Sequence, residues 1–260
     1  MTESKLVQRG AVTIEVVVEG AGRPIVLLPS LGRGAADFDP IARQLAGAGY
    51  RVLRPQPRGI GASTGGPYTD LQDCAADIAA VIEADGGTPA LVAGHAFGNR
   101  VARMLATARP ELVAAVSLIA ANVGRDPSPP NVRAAIGASA DPTLPREARL
   151  EALRFAFFAP GNDPTSWLEG WHPDVLAAQR LAGDRTPRTL DYAGGGKPIL
   201  YLQPDHDPLA HAEDAQIFRR EHGERVTVLV IPNASHAAIA EQPDFIARAL
   251  IDYADKLWAS

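Results

Sequence analysis

Short, strongly apolar runs alternate with amphipathic stretches along most of this chain. Strands that are apolar along their whole length are buried on both faces, as in parallel sheets covered by helices on each side. The stretches between them repeat apolar residues every three or four positions, which is the spacing of amphipathic helices. The pattern predicts an α/β fold with a mostly parallel central sheet and helices on both faces. The expected strands are 12–18, 25–28, 50–54, 90–93, 113–119, 198–202 and 226–231, and the expected helices of this sheet are 41–48, 70–83, 99–108, 212–221 and 243–257.

The segment 123–196 interrupts this alternation. It contains many of the prolines, shows no strand pattern, and has helical spacing at 147–158 and 174–182. We therefore expect a core domain of residues 1–122 and 197–260 with a helical insertion at 123–196. Clustered aromatic residues in such an insertion are typical of a lid over a site, and equally of packing of the insertion onto the core, and both interpretations stay open. These aromatic residues are Phe155, Phe157, Phe158, Trp167 and Trp171.

Composition excludes several functional classes. The chain has 260 residues, of which 46% are hydrophobic, enough for one α/β domain with a sizeable core. A formal net charge of −5 with dispersed Lys and Arg argues against nucleic acid or an anionic membrane as the main partner. Neither a secretory signal nor an apolar run long enough to cross a membrane is present. We expect a cytoplasmic protein without membrane attachment, and a homodimer is one assembly that the sequence allows.

No cofactor is expected from the sequence. The single cysteine, Cys74, rules out an internal disulfide and a multi-cysteine metal site, and its helical position is typical of a buried apolar residue. The six histidines lack metal-ligand spacing. No Gly-x-Gly-x-x-Gly motif follows the first strand, so neither a nicotinamide nor a flavin is indicated.

The most informative motif is Gly94-His95-Ala96-Phe97-Gly98, at the turn from strand 90–93 into the next helix. In the pattern Gly-x-Ser-x-Gly, a sharp strand-to-helix turn exposes a nucleophilic serine beside backbone N–H groups that can bind an oxyanion. Here the central residue is Ala96, which has no oxygen with which to attack. The chain therefore has the surroundings of a nucleophile and lacks the nucleophile itself.

With these motifs the chain resembles the α/β-hydrolase family over essentially its full length. The elbow is one of five matching segments, which follow the family's chain order of nucleophile, acid and histidine. The others are the strand-end loop 27–32, the loop 54–63, the segment 203–208 of the acid and the segment 231–236 of the histidine. The resemblance implies a mostly parallel central sheet with helices on both faces and a helical lid insertion.

The resemblance also implies roles for individual residues. His236 would be the base and Asp207 the acid that orients it, with Asp205 as the alternative acid, while His206 between them is a solvated loop residue. The backbone N–H groups of Leu31 and Phe97 would bind an oxyanion. Further residues are expected beside the site or in contact with the substrate: Ser30, His95, Trp167 and Trp171.

The sequence leaves the origin of Ala96 and the reaction open. Ser30 and Asn99 stand where the family usually has histidine and glycine, and departures on two sides of one pocket favour a native alanine over an isolated replacement. We expect an enzyme that acts on a small apolar or weakly polar ester, lactone or carbon–carbon bond. It is either an inactivated hydrolase or a His/Asp acid–base enzyme without a covalent intermediate. A lyase, a cofactor-free oxygenase and a catalytically silent small-molecule binding protein are the alternatives.

Overall fold

Eight strands form a single sheet in a computed structural model that describes residues 2–123 and 129–259. Their order across the sheet is β1-β2-β4-β3-β5-β6-β7-β8, with antiparallel pairing among β1, β2 and β4 and parallel pairing from β4 onward. The expected mostly parallel sheet is confirmed. The strands are β1 (Thr2–Arg9), β2 (Val12–Glu19), β3 (Pro24–Leu28), β4 (Arg51–Pro55), β5 (Ala90–His95), β6 (Val113–Ile119), β7 (Ile199–Pro204) and β8 (Val226–Ile231).

Helices cover both faces of the sheet. Successive residues of β3 belong to opposite faces: Ile25 and Leu27 pack in one apolar core, and Val26 and Leu28 in the other. Helices α1 and α10 contribute to the first core and α2, α3 and α8 to the second. The helices are α1 (Asp39–Gly47), α2 (Leu71–Ala84), α3 (Phe97–Ala108), α4 (Pro130–Ala140), α5 (Arg146–Ala156), α6 (Pro173–Arg185), α7 (Arg188–Asp191), α8 (Ala212–His222), α9 (Ala238–Glu241) and α10 (Pro243–Ala259).

The structure adds one strand to those expected. Strand β1 pairs with β2 along eight residues in antiparallel register at the edge of the sheet. Its sequence, TESKLVQR, is mostly polar and mostly exposed, so it carries no apolar pattern of the kind that marks a buried strand. It is specified by backbone pairing with β2, which a scan of side-chain periodicity does not detect.

Between β6 and β7, the residues that the structure describes form helices joined by loops and contain no strand. Helices α5 and α6 correspond to the expected helices, whereas α4 was not expected, because its sequence PNVRAAIGASA has little apolar periodicity. A short 3-10 helix, Pro164–Trp167, lies between α5 and α6. The expected boundary at residue 123 adjoins residues 124–128, which lie outside the described residues.

Candidate active site

Ala96 occupies a strained turn between β5 and α3. Its backbone angles are φ 48° and ψ −110°, a conformation that L residues with a Cβ rarely adopt and that costs about 1–3 kcal/mol. The side-chain amide of Asn99 donates a hydrogen bond to the Ala96 carbonyl from within the first turn of α3. The elbow therefore keeps its strained geometry although the residue at its centre is alanine.

Gly94 and Gly98 allow β5 and α3 to approach each other closely. A Cβ atom on Gly94 would lie 2.3 Å from the backbone of Gly98, and a Cβ on Gly98 would lie 2.3 Å from the Leu28 carbonyl oxygen. No real Cβ tolerates such distances, so both positions require glycine. Helix α3 is thereby seated directly over the ends of β5 and β3.

The elbow is next to a buried His–Asp pair. His236 Nδ1 lies 2.9 Å from Asp207 Oδ2, and each residue is only 7% exposed. Because a carboxylate can only accept, the imidazole donates through Nδ1–H, which leaves Nε2 with its lone pair. The other carboxylate oxygen of Asp207 accepts from the backbone N–H groups of Leu209 (2.7 Å) and Ala210 (3.0 Å).

Asp205, the alternative acid, has different partners. It accepts hydrogen bonds from the backbone N–H groups of Asn233 and Ala234 and pairs with the exposed imidazole of His206 at 2.6 Å. Partial burial raises the pKa of Asp205, but these hydrogen bonds together outweigh it, so the pKa is lowered overall. Asp205 thus stabilises the turn before His236 through these hydrogen bonds, and Asp207 is the carboxylate that contacts His236 itself.

His95 and Glu241 fix the backbone of the histidine loop. His95 is fully buried, which lowers its pKa to about 3, so its imidazole is neutral, and Nε2–H donates to the His236 carbonyl at 2.6 Å. Glu241 accepts from the Ser235 N–H at 2.6 Å, and burial raises the pKa of this carboxyl group. The side chain of His236 is therefore held by Asp207, and the backbone around it by His95 and Glu241.

The two backbone groups expected to bind an oxyanion lie on the same cavity. Phe97 is the first residue of α3, where an N–H has no helical carbonyl partner. Leu31 lies in the loop after β3, and this loop is tied to α6, since Gly32 N–H donates to Gln179 Oε1 at 2.8 Å. The N–H of His172 donates in turn to the Gly32 carbonyl at 2.9 Å. Residues of the helical segment thus brace the loop that presents Leu31.

A cavity of about 180 Å³ connects these groups. The expected site residues that line it are Ser30, Leu31, Ala96, Phe97, Trp171 and His236. Asp207 and His95 lie behind this wall, in contact with His236. Within 2–123 and 129–259, no group of three or more His, Cys, Asp or Glu side chains is arranged to hold a metal ion. No helix of these residues has both the length and the apolar character needed to span a bilayer.

Comparison with known proteins agrees with this geometry. The family model described as the alpha/beta hydrolase family matches residues 25–249. The chain belongs to the α/β-hydrolase family. Across 98% of its length it superposes on 99% of a thermophilic esterase from Thermogutta terrifontis, with a TM-score of 0.79 and 20% identity, a likeness that concerns the fold.

Two curated relatives of this α/β-hydrolase are enzymes by description. RutD of Azorhizobium caulinodans, to which a carbamate hydrolase activity is ascribed, is 36% identical over 104 residues, or 39% of this chain and 38% of RutD. The aligned part is thus about two-fifths of that relative. A pyrethroid hydrolase of Sphingobium wenxiniae is 26% identical over 256 residues, covering 89% of this chain and 87% of the relative.

Some aromatic residues of the helical segment line the cavity, and others pack against neighbouring side chains. Trp171 and Phe157 line the cavity, whereas Trp167, expected to contact substrate, is 2% exposed and packs edge-on against His95. Phe158 also packs against Trp167, and Phe155 is exposed. Two of the aromatic residues thus line the cavity, and the packing interpretation holds for Trp167 and Phe158.

A buried arginine joins these aromatics to the core. The Arg33 guanidinium lies 4.6 Å from the Trp167 ring centre and 4.8 Å from that of Trp171, within cation–π range. It also pairs with Asp37 at 2.7 Å and donates to the Glu169 carbonyl at 2.7 Å. Arg33 therefore links the helical segment to the loop that contains Leu31. Nothing in the sequence pattern indicated this role.

Polar as well as apolar side chains line the cavity. The lining includes Asn99, Arg100, Asn122 and Arg188 together with Ile136, Phe157, Trp171 and Leu209. The polar residues come from distant parts of the chain and form no cluster in the sequence. The sequence pointed to Asn99 alone among them, because Arg100, Asn122 and Arg188 leave no local pattern and only the fold brings them to the cavity.

Proposed function

We propose that this α/β-hydrolase is a His/Asp acid–base enzyme that works without a covalent intermediate. The observation that carries the proposal is the buried His236–Asp207 pair, retained beside a cavity whose elbow residue is Ala96. A protein that only bound ligands would gain nothing from a buried imidazole with a fixed tautomer, or from a strained elbow. The arrangement that a general base requires is present here, without a serine for it to activate.

The proposed reaction is hydrolysis of a small ester or lactone by water. His236 Nε2 takes a proton from a water molecule as the water attacks the substrate carbonyl, while Asp207 holds the imidazole and stabilises its charge. The backbone N–H groups of Leu31 and Phe97 donate to the oxygen that becomes negative. His236 then returns the proton to the leaving oxygen, so that acid and alcohol are released.

The methyl group of Ala96 suits this chemistry because it is smaller than a hydroxymethyl group. A serine at this position would compete with water for the lone pair of His236. The same residues also suit proton abstraction from carbon, as a lyase or a cofactor-free oxygenase requires, with Leu31 and Phe97 donating to an enolate.

A panel of aryl esters and lactones tests the proposal by steady-state turnover. The unaltered chain is expected to hydrolyse at least one of them, and His236→Ala should lower kcat by about 10²- to 10⁴-fold. His211→Ala is the matched control, because His211 is exposed at the start of α8 and does not line the cavity. Turnover equal in the unaltered chain and the His236→Ala variant would refute the proposal.

The Ala96→Ser variant separates the proposal from an inactivated serine hydrolase. If the chain is an inactivated hydrolase, the unaltered protein shows no turnover on any member of the panel and Ala96→Ser restores it. If neither protein turns over any ester, lactone or carbon acid, and ligands still bind, the binding-protein alternative replaces the proposal.

A further inference from the structure

The loop that carries Leu31 is a tight turn with Gly32 at its third position. The Ser30 carbonyl accepts from the Arg33 N–H at 3.1 Å, and Gly32 has φ 67°, as in a type II turn. Types I and II differ in the orientation of the central peptide, which here joins Leu31 to Gly32. The form of this turn therefore depends on what the Gly32 N–H contacts.

Both peptide groups that flank Gly32 are bonded to the helical segment. The Gly32 N–H donates to Gln179 Oε1 at 2.8 Å, and the Gly32 carbonyl accepts from the His172 N–H at 2.9 Å. A Cβ atom on Gly32 would lie 2.6 Å from Leu176 Cβ, so α6 packs directly against the turn. The helical segment thus holds the turn in its present form.

Packing alone does not require a glutamine at position 179. Gln179 is only 4% exposed. Throughout α6, every residue of which the structure describes, the other buried residues are Val175, Leu176, Ala182 and Gly183. A buried polar side chain costs free energy unless it is hydrogen-bonded, and a methionine of similar length would fill the same space without that cost. The feature that distinguishes Gln179 is the oxygen that accepts from Gly32.

The same face of α6 also contacts the helix that presents the second oxyanion donor. Gly183 lies one helical turn after Gln179, and its carbonyl accepts from Arg100 Nη1 at 3.0 Å. Arg100 is on α3, which begins at Phe97. A Cβ atom on Gly183 would lie 3.7 Å from the Phe97 ring, an ordinary contact distance. Helix α6 therefore contacts both segments that carry the expected oxyanion donors.

We propose that Gln179 is a positioning residue, which keeps the Leu31 N–H in the direction needed to bind an oxyanion. The inference rests on the proposed function, because the oxyanion is the charge that develops in the proposed hydrolysis. Donors stabilise that charge best when they are fixed before it develops. Gln179 does not line the active-site cavity, so it acts on the reaction only through the turn at Gly32.

Steady-state kinetics of Gln179→Met test this role. Methionine keeps the length of the side chain and removes the acceptor, so kcat on the best ester of the panel should fall about tenfold. The KM and the pH dependence of kcat should stay unchanged, because His236 and the cavity lining are not altered.

Val175→Ala is the matched control for the packing of α6. Val175 is a buried residue of this helix, and a Cβ atom on Gly59 would lie 3.0 Å from it. The substitution loosens the helix and leaves the bond between Gln179 and Gly32 in place, so kcat should not change. Equal losses of kcat in Val175→Ala and Gln179→Met would overturn the inference.

Binding of two non-hydrolysable probes tests the oxyanion donors separately from turnover. Ethyl hydrogen phenylphosphonate has a negative oxygen on a tetrahedral centre, whereas N-ethylbenzamide is planar and uncharged, and calorimetry gives their dissociation constants. The unaltered chain should bind the phosphonate about 10²-fold more tightly than the amide, and Gln179→Met should lose about tenfold of this preference. Absence of a preference in the unaltered chain, or an unchanged preference in Gln179→Met, would overturn the inference.

Hydrogen exchange of the Gly32 amide tests the contact in the unaltered protein, whatever the stability of the variants. An N–H bonded to a buried oxygen should exchange about 10²-fold more slowly than in an unstructured peptide, or slower still. Exchange at the rate of an unstructured peptide would overturn the inference.

His236→Ala distinguishes failure of the inference from failure of the proposed function. The phosphonate preference should persist in this variant while turnover is lost. If turnover is unchanged and the preference still depends on Gln179, the proposed function fails and the inference stands. If turnover depends on His236 and Gln179→Met changes neither kcat nor the preference, the inference alone is wrong.

Discussion

Replacement of Asp207 by asparagine should reverse the tautomer of His236. In the structure, Asp207 Oδ1 accepts both backbone hydrogen bonds, from Leu209 and Ala210, and Oδ2 alone faces His236 Nδ1. An asparagine amide keeps its oxygen toward the two N–H groups, because the flipped amide would lose both bonds, at about 0.5–1.5 kcal/mol each. Its NH₂ group then faces Nδ1, which must become an acceptor, and the proton moves to Nε2.

The tautomer is measured from the imidazole ¹⁵N chemical shifts at a pH where the ring is neutral. The combined cost of the flipped amide, about 1–3 kcal/mol, predicts that Nε2–H outweighs Nδ1–H by about 5- to 150-fold in the Asp207→Asn variant. With its lone pair on Nδ1, His236 could not take a proton at Nε2, so kcat should also fall by about 10³- to 10⁴-fold. Asp205→Asn is the matched control and should change neither the tautomer of His236 nor kcat. An Asp207→Asn variant that retains Nδ1–H would refute this account of the pair.

Two stability predictions test the packing around the site. Gly98→Ala should lower the free energy of unfolding in urea by about 1–3 kcal/mol, because the added Cβ would meet the Leu28 carbonyl. Gly47→Ala is the control and should be neutral or stabilising, because nothing lies within 4 Å of the added Cβ. Equal effects of the two substitutions would contradict the close approach of α3 to β3. Burial lowers the pKa of His95 from 6.5 to about 3, so the unfolded chain binds a proton that the folded chain excludes, and stability falls as the pH drops below 6.5. Between pH 7.5 and pH 5 the free energy of unfolding should fall by about 2 kcal/mol more in the unaltered protein than in the His95→Gln variant. If the two proteins lose stability in parallel, His95 does not cause the pH dependence.

The sheet and the His–Asp pair could be predicted because each leaves a local signal in the sequence. Buried parallel strands such as β5 and β6 are apolar along their whole length, and the elbow and histidine segments are short motifs with a fixed geometry. Strand β1 leaves no such signal, because its place depends on backbone pairing with β2 at an exposed edge.

The remaining features of the site depend on contacts between distant segments. Arg100 and Arg188 line the same cavity only because α7 packs against α3. Arg33, in the loop after β3, contacts Trp167 and Trp171 only because the helical segment folds back onto that loop. Each residue alone is an unremarkable arginine in an amphipathic or loop sequence. The sequence therefore indicated the elbow and the His–Asp pair and missed three of the polar residues that line the cavity, Arg100, Asn122 and Arg188.

The absence of a covalent intermediate is tested most directly by mass spectrometry of intact protein, quenched during turnover of the best ester of the panel. The account predicts that the unaltered chain turns over the ester and stays at its unmodified mass. The Ala96→Ser variant, under the same conditions, gains the mass of the acyl group at position 96. An acyl adduct on the unaltered chain during turnover, above all on Ser30 beside Leu31, would contradict the account.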